Sequence, residues 1–288
     1  MINKEKQLDG LKSLVKGLES VVVAFSGGVD STLLAKVCSD VLGEKAIAVT
    51  AVSETYPEFE LNEAKRVAKE IGIGHKILRT NELSVENFAK NPANRCYFCK
   101  TELFSKLRDV AKEVDFKNIA DGSNLDDTGD FRPGLKAAME LGSRGPLREA
   151  GLTKKDVREM SKFLGLSTWD KPAFACLSSR IPYGQKITVD KLDMVIKAED
   201  FLREAGFKSF RVRHHDTIAR IEVPLIDIAR VMDSDVRSAV VKKLKSIGFT
   251  YVTIDLEGLR SGSMNEVLAD EEKDYKENTG LVIDDQMP

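Results

Sequence analysis

The chain has 288 residues, 42% of them hydrophobic, enough to bury one large core or two modest ones. Its 44 basic and 46 acidic residues leave a net charge of −2, which disfavours gripping nucleic acid by bulk charge. No apolar run approaches the roughly 20 residues that span a bilayer, and the charged start Met1–Lys16 has no signal-peptide core. The expectation is a cytoplasmic protein with no membrane partner and no nucleic-acid partner. In a reducing compartment its four cysteines, Cys38, Cys96, Cys99 and Cys176, read as core thiols, metal ligands or catalysts rather than disulfides.

In chain order, Val21-Val22-Val23-Ala24-Phe25 reads as a buried strand. After Ser26-Gly27-Gly28, the spacing of Leu34, Val37, Cys38 and Val41 predicts a helix over 31–42. A second buried strand follows at 46–52, then a helix over 57–71, a third strand at 75–78 and a short fourth around Ile119-Ala120. Helices are expected over 97–114, over 131–141 and from Thr153, where Thr153-x-x-Asp156 is a capping signal. This alternation predicts an α/β fold with a doubly wound parallel sheet.

After an irregular stretch over 171–184 the pattern changes. A helix over 190–205, an antiparallel pair at 209–214 and 218–223, one helix over 226–247 and a last strand at 251–256 predict a smaller α+β domain. The boundary falls near 180–187, giving domains of residues 1–180 and 181–288, with a charged, frayed tail from Asp270.

A strand that ends in Ser26-Gly27-Gly28-Val29-Asp30-Ser31 and opens directly into a helix suits an anion. Glycines let backbone N–H groups approach phosphate, the helix N-terminus adds partial positive charge, and the two serines can donate. There is no Walker lysine and no Gly-x-Gly-x-x-Gly. The string resembles the PP-loop of the ATP pyrophosphatase superfamily, whose adenine nucleotide alpha-hydrolase-like members cleave ATP between its α- and β-phosphates. Three more stretches narrow the resemblance: Ala120–Asp127 with Arg132-Pro133-Gly134, Pro146–Leu152, and Trp169–Gly184 around Cys176. Together they are similar to the LarE family, ATP-dependent sulfur transferases of nickel-pincer nucleotide biosynthesis. The resemblance implies a pyridinium biscarboxylic acid mononucleotide as substrate, with carboxylates adenylated and converted to thiocarboxylates, and a homo-oligomer. It implies ATP held by Ser26, Gly27, Gly28, Val29, Asp30, Ser31, Ser53 and Gly122, with Mg²⁺ at Asp30 and Asp126 or Asp127 sharing that role.

Cys96-Tyr97-Phe98-Cys99 is a C-x-x-C at a helix start. A zinc site wants four ligands, and His75, His214 and His215 have no finger-like spacing. With Cys176 there are three thiols, one short of the usual four for a [4Fe–4S] cluster, which leaves an iron open to an exogenous ligand such as hydrosulfide. LarE proteins divide into those resembling cluster enzymes and those in which the residue matching Cys176 is a sacrificial sulfur donor. This chain carries the elements of both, so a cluster, a sacrificial Cys176, and zinc or a plain dithiol remain readings of the same residues. Cys38 reads as a core thiol. Arg211 and Arg213 alternate on one strand and so share a face, and with Arg180 they are candidates for the substrate phosphate, solvated surface charge being the other reading. A PP-loop tRNA thiolation enzyme, an amidotransferase and a non-catalytic nucleotide sensor are the rival functions.

Overall fold

The computed structural model describes residues 2–53, 56–129, 133–172, 175–260 and 262–268. Helix α1 (Ile2–Lys16) precedes β1 (Val21–Ala24), α2 (Val29–Leu42), β2 (Ala46–Val52), α3 (Glu58–Ile71) and β3 (Gly74–Arg79). Then come α4 (Glu86–Ala89), α5 (Arg95–Glu113), β4 (Asn118–Ala120), α6 (Pro133–Glu140), β5 (Ser143–Arg144), α7 (Pro146–Glu149) and α8 (Lys154–Phe163). These five strands form one parallel sheet in the order β3-β2-β1-β4-β5, as the strand–helix alternation predicts. Period two governs β1. Val21 and Val23 pack into the core under α1, α2 and α8, while Val22 faces the opposite core of Phe104, Leu107 and Ile119. The chain leaves β1 toward β2 on one side and reaches β4 on the other. The order therefore reverses between β1 and β4, which opens a crevice beyond their carboxyl ends.

The remaining elements are α9 (Val189–Glu204), β6 (Arg211–His215), β7 (Ile218–Glu222), α10 (Leu225–Met232), α11 (Ser234–Ile247) and β8 (Tyr251–Ile254). They form a separate three-stranded sheet, β6-β7-β8, antiparallel at β6–β7 and parallel at β7–β8, over a core that includes Leu202, Val212, Ile221 and Leu244. The single helix expected over 226–247 is two. Asp233 leaves the helical region, and its carboxylate accepts from Asp235 N and Val236 N to start α11 afresh. Helix α5 starts two residues before the expected position, and β5, α4 and α7 are too short to carry a periodicity. Phe131, Arg132, Ala173, Phe174 and the tail from Asp270 lie outside the described residues. Phe88, Leu177, Ile181, Ile187, Leu192 and Val195 form a further apolar cluster, which stitches the start of α9 onto α4 and α5. Among the described residues no helix is long and apolar enough to cross a membrane.

Candidate active site

The Ser26–Ser31 loop sits at the carboxyl end of β1. Gly27 turns through φ +67°, and an added Cβ there would lie 2.9 Å from Ala64 Cα. Across the crevice, a Cβ on Gly122 would meet Ser31 N at 2.9 Å, so the loop after β4 packs against the loop after β1 only because that residue is glycine. The two serine hydroxyls lie 3.2 Å apart, and Gly28 N donates to Ser26 Oγ at 3.3 Å. Helix α2 begins at Val29, and its N-cap residue, Gly28, offers no side-chain cap. Among the described residues the amides of Val29, Asp30 and Ser31 therefore have neither an intrahelical nor a side-chain acceptor, the condition for binding an anion at a helix N-terminus.

Two lysines flank this loop. Lys154, the first residue of α8, forms an ion pair with Asp30 while its backbone N–H donates to Asp126 Oδ2 at 2.9 Å. Asn124 Nδ2 donates to Asp30 Oδ1 at 3.2 Å. Lys171 donates to Gly27 O at 3.3 Å and to Glu60 Oε2 at 2.8 Å, and Tyr56 OH donates to Ser26 O at 3.3 Å. Asp30 and Asp126 are thus both engaged by Lys154, one through its ammonium and the other through its backbone N–H. Of these flanking groups, Lys154 gave no sequence signal beyond following a capping residue. Ser53 lies just past β2, at the same end of the sheet.

A second group of residues comes together around the cysteines. Asn91, 0% exposed and at φ +57°, donates through Nδ2 to Ile181 O (3.1 Å), Pro182 O (2.7 Å) and Gln185 O (3.1 Å). Gly184 N returns a bond to Asn91 O at 2.9 Å, and Ile187 N donates to Ala89 O at 2.9 Å. This clamp fastens the segment after Cys176 to the turn that leads into α5, where Cys96 and Cys99 lie. Cys176 is exposed, Cys96 partly so, and Cys99 Sγ donates to Glu82 Oε1 at 3.4 Å. Burial pushes the Cys99 thiol up, with Glu82 next in effect, Lys100 opposing, and smaller contributions from Cys176 and Cys96. Among the described residues no three Cys, His, Asp or Glu side chains are gathered into a metal-holding group. Cys38 is fully buried, as expected, and burial pushes its thiol up to about 12. His75 and His214 are built into the packing, the first through Thr50 Oγ1 at 2.8 Å and the second against Phe249.

The three arginines singled out from the sequence do converge. Burial pulls the Arg211 guanidinium below its ordinary range, and Arg213 and Arg180 add to this as neighbouring like charges. Two of them are already engaged. Arg180, 2% exposed, forks onto Glu199 at 2.7 and 3.1 Å and donates to Ala175 O at 2.8 Å, tying the Cys176 segment to α9. Arg213, 1% exposed, forks onto Glu222 with both bonds at 2.9 Å and donates to Ser179 O at 2.6 Å. Arg211 is half-buried, donates to Arg260 O at 3.0 Å and stands 3.9 Å from Glu222. Arg220 joins them at Glu222, at 3.1 Å, and lies 3.6 Å from Asp255. The surface reading of Arg180 and Arg213 does not hold, because each has a buried carboxylate that the sequence pattern alone could not pair with it.

The profile of the NAD synthase family matches residues 4–112. An uncharacterized protein of Synechocystis sp. is 47% identical over 264 residues, covering 92% of this chain and 98% of that one. Pyridinium-3,5-bisthiocarboxylic acid mononucleotide synthase of Lactiplantibacillus plantarum is 42% identical over 260 residues, covering 90% and 93%. A tRNA-specific 2-thiouridylase of Caulobacter sp. is 30% identical over 194 residues, covering 53% of this chain and 46% of that one.

Proposed function

Because the chain belongs to the LarE family, that of the pyridinium-3,5-bisthiocarboxylic acid mononucleotide synthases, we infer that its two residue groups divide adenylation from sulfur transfer. The protein is an ATP-dependent sulfur transferase acting on a small mononucleotide, with ATP and Mg²⁺ as its reagents. The uncapped start of α2 between paired serines is the observation that carries the adenylation half. In this reading Ser26, Ser31 and the amides of Val29 to Ser31 take the pyrophosphate end of ATP, with Ser53 and Gly122 bordering the nucleotide. Asp30, with Asp126 or Asp127, holds Mg²⁺, which offsets phosphate charge. Lys154 and Lys171 add positive charge beside the loop. A substrate carboxylate oxygen attacks the α-phosphorus and pyrophosphate leaves. The acyl group is then carried by AMP, a far better leaving group than carboxylate oxygen.

The sulfur half is assigned to Cys96, Cys99 and Cys176, held together by the Asn91 clamp, as ligands of a [4Fe–4S] cluster. What supports the set is its chemistry: three thiols, two of them one turn apart on α5, with the buried guanidinium of Arg95 next to Cys96 to face negative charge. Such a cluster supplies sulfur without consuming the protein. The exposure of Cys176 favours a second reading, in which its own sulfur displaces AMP and its Cβ–S bond then breaks, leaving dehydroalanine and a thiocarboxylate. The substrate phosphate is assigned to Arg211, positioned by the buried Arg180–Glu199 and Arg213–Glu222 pairs. Residues 1–180 then form the adenylating domain and 181–288 the substrate and oligomerisation domain of a homo-oligomer.

Asp30→Ala is expected to lower pyrophosphate release by about a hundredfold or more, the cost of removing one preorganised electrostatic group. ADP and phosphate as products would sink the adenylation reading. Anaerobic purification should give about four iron and four sulfide per chain, falling in each Cys→Ala variant. Colourless protein that loses the mass of H₂S in one turnover makes Cys176 the donor instead.

A further inference from the structure

Asp30, in the first turn of α2, stands beside the open amides of the phosphate loop. Both of its carboxylate oxygens are taken. Lys154 Nζ pairs with Oδ2, and Asn124 Nδ2 donates to Oδ1 at 3.2 Å. Lys154 reaches Asp30 from α8, 124 positions along the chain, while its backbone N–H donates to Asp126 Oδ2 at 2.9 Å. One residue thus engages both of the carboxylates named above for Mg²⁺. The ion pair is not packed away. The two side chains are 34% and 23% exposed, and among the described residues the Lys154 ammonium has no second acceptor. Lys171, on the other flank of the loop, is fastened twice, to Gly27 O and to the buried Glu60. Of the two lysines beside the loop, Lys154 is therefore the one able to change partner.

We propose that Lys154 holds the place of Mg²⁺ at Asp30 in the nucleotide-free protein and gives it up only to metal and triphosphate arriving together, its ammonium then passing to a phosphate oxygen. The proposal rests on the adenylation reading above and deepens it. Mg²⁺ is commonly bound through one or two carboxylates, with substrate phosphates and water completing its oxygen shell. Asp30 and Asp126 fit that description. Among the described residues no three Cys, His, Asp or Glu side chains are gathered into a cage that would hold the ion without a nucleotide. Bare Mg²⁺ would have to drive an ammonium off Asp30 with no other anion to receive it. A triphosphate changes both sides of that exchange. It brings the oxygens the metal lacks, and it offers the ammonium a new counter-charge at the helix start that already favours anions. Until then the pair keeps a bare carboxylate from repelling the incoming phosphates. The loop has no lysine of its own, so α8 supplies one from a distance. When pyrophosphate leaves with its metal, Lys154 closes on Asp30 again.

The test uses Mn²⁺ as the metal probe, counted by its paramagnetic resonance signal, and the α,β-methylene analogue of ATP, which is not cleaved between those phosphates. Each is titrated into the full-length protein, Lys154→Met, Lys154→Gln and Lys154→Arg. The two neutral variants should move two affinities in opposite directions. Mn²⁺ alone should bind about three- to fivefold more tightly, because an open ion pair of this kind no longer competes. The Mn²⁺ complex of the analogue should bind about tenfold or more weakly, the loss of one charge-assisted contact. Lys154→Arg keeps the cation and should keep Mn²⁺ alone weak. Adding Asp30→Asn to Lys154→Met should erase the gain for Mn²⁺. Unchanged binding of Mn²⁺ alone in both neutral variants, a gain that survives Asp30→Asn, or an unweakened complex each overturns the proposal. Failure of the unmodified protein to bind the complex overturns the adenylation reading beneath it.

Discussion

Arg180 and Arg213 and the arginine at the start of α5, Arg95, are all buried, yet they stand in opposite electrostatic conditions. Arg180 and Arg213 each face a carboxylate squarely, and their remaining donors reach backbone oxygens or Ser263. Arg95 faces thiols and a ring, with two donors idle. The uncapped amides at the start of α2 share that condition. Where polar groups are satisfied within the chain, they fix shape. Among the described residues idle buried polar atoms also occur in β6 and β7, at His214 Nδ1, His215 Nε2 and Arg220 Nε, so idleness alone does not mark a site.

The comparison can be broken at its satisfied end first. Glu222 accepts from Arg213, Arg220 and Ser263, so Glu222→Ala strands the buried Arg213 charge. A loss of about 3–5 kcal/mol in unfolding free energy is expected, read by urea denaturation. If the loss is below 1 kcal/mol, Arg213 is not a structural cation. A smaller effect is expected at the clamp. Asn91→Ala removes three buried hydrogen bonds and leaves the left-handed backbone in place. It should cost about 1–3 kcal/mol and speed alkylation of Cys99, because the segment that covers α5 is released. Unchanged Cys99 protection would show that this segment is held by its apolar cluster alone.

An effect that is absent at neutral pH lies within α2. Burial holds the Cys38 proton to about 12, against an ordinary value near 9. Above about pH 9 the unfolded chain gives up this proton and the folded one keeps it. The stability contributed by the neutral thiol is complete below that pH and is lost as pH rises toward 12, by about 1.4 kcal/mol per pH unit. Cys38→Ala should flatten that part of the stability profile. An equal slope in the variant would place the titrating group elsewhere.

The sequence carried the parallel sheet because β1 and β2 are β-branched runs that can only be buried, and α2 and α3 show their apolar faces by spacing. It carried the phosphate loop because a helix opening on Ser-Gly-Gly has few other uses, and it marked Cys96, Cys99 and Cys176 by residue type. It located the break between sheets through the change of period after the Pro-bounded stretch, while Asp233 hid the split of α10 from α11 inside one continuous apolar pattern. What it could not contain were the pairings across long separations. Lys154 meets Asp30 across 124 positions, Asn91 meets Pro182 across 91, and Arg213 meets the glutamate on the neighbouring strand. Charge and hydrogen bonding act through space at a few ångströms, and only the folded chain decides which groups lie within that range. That is why the same residue type became a paired strut at Arg213 and a cation against a ring at Arg95.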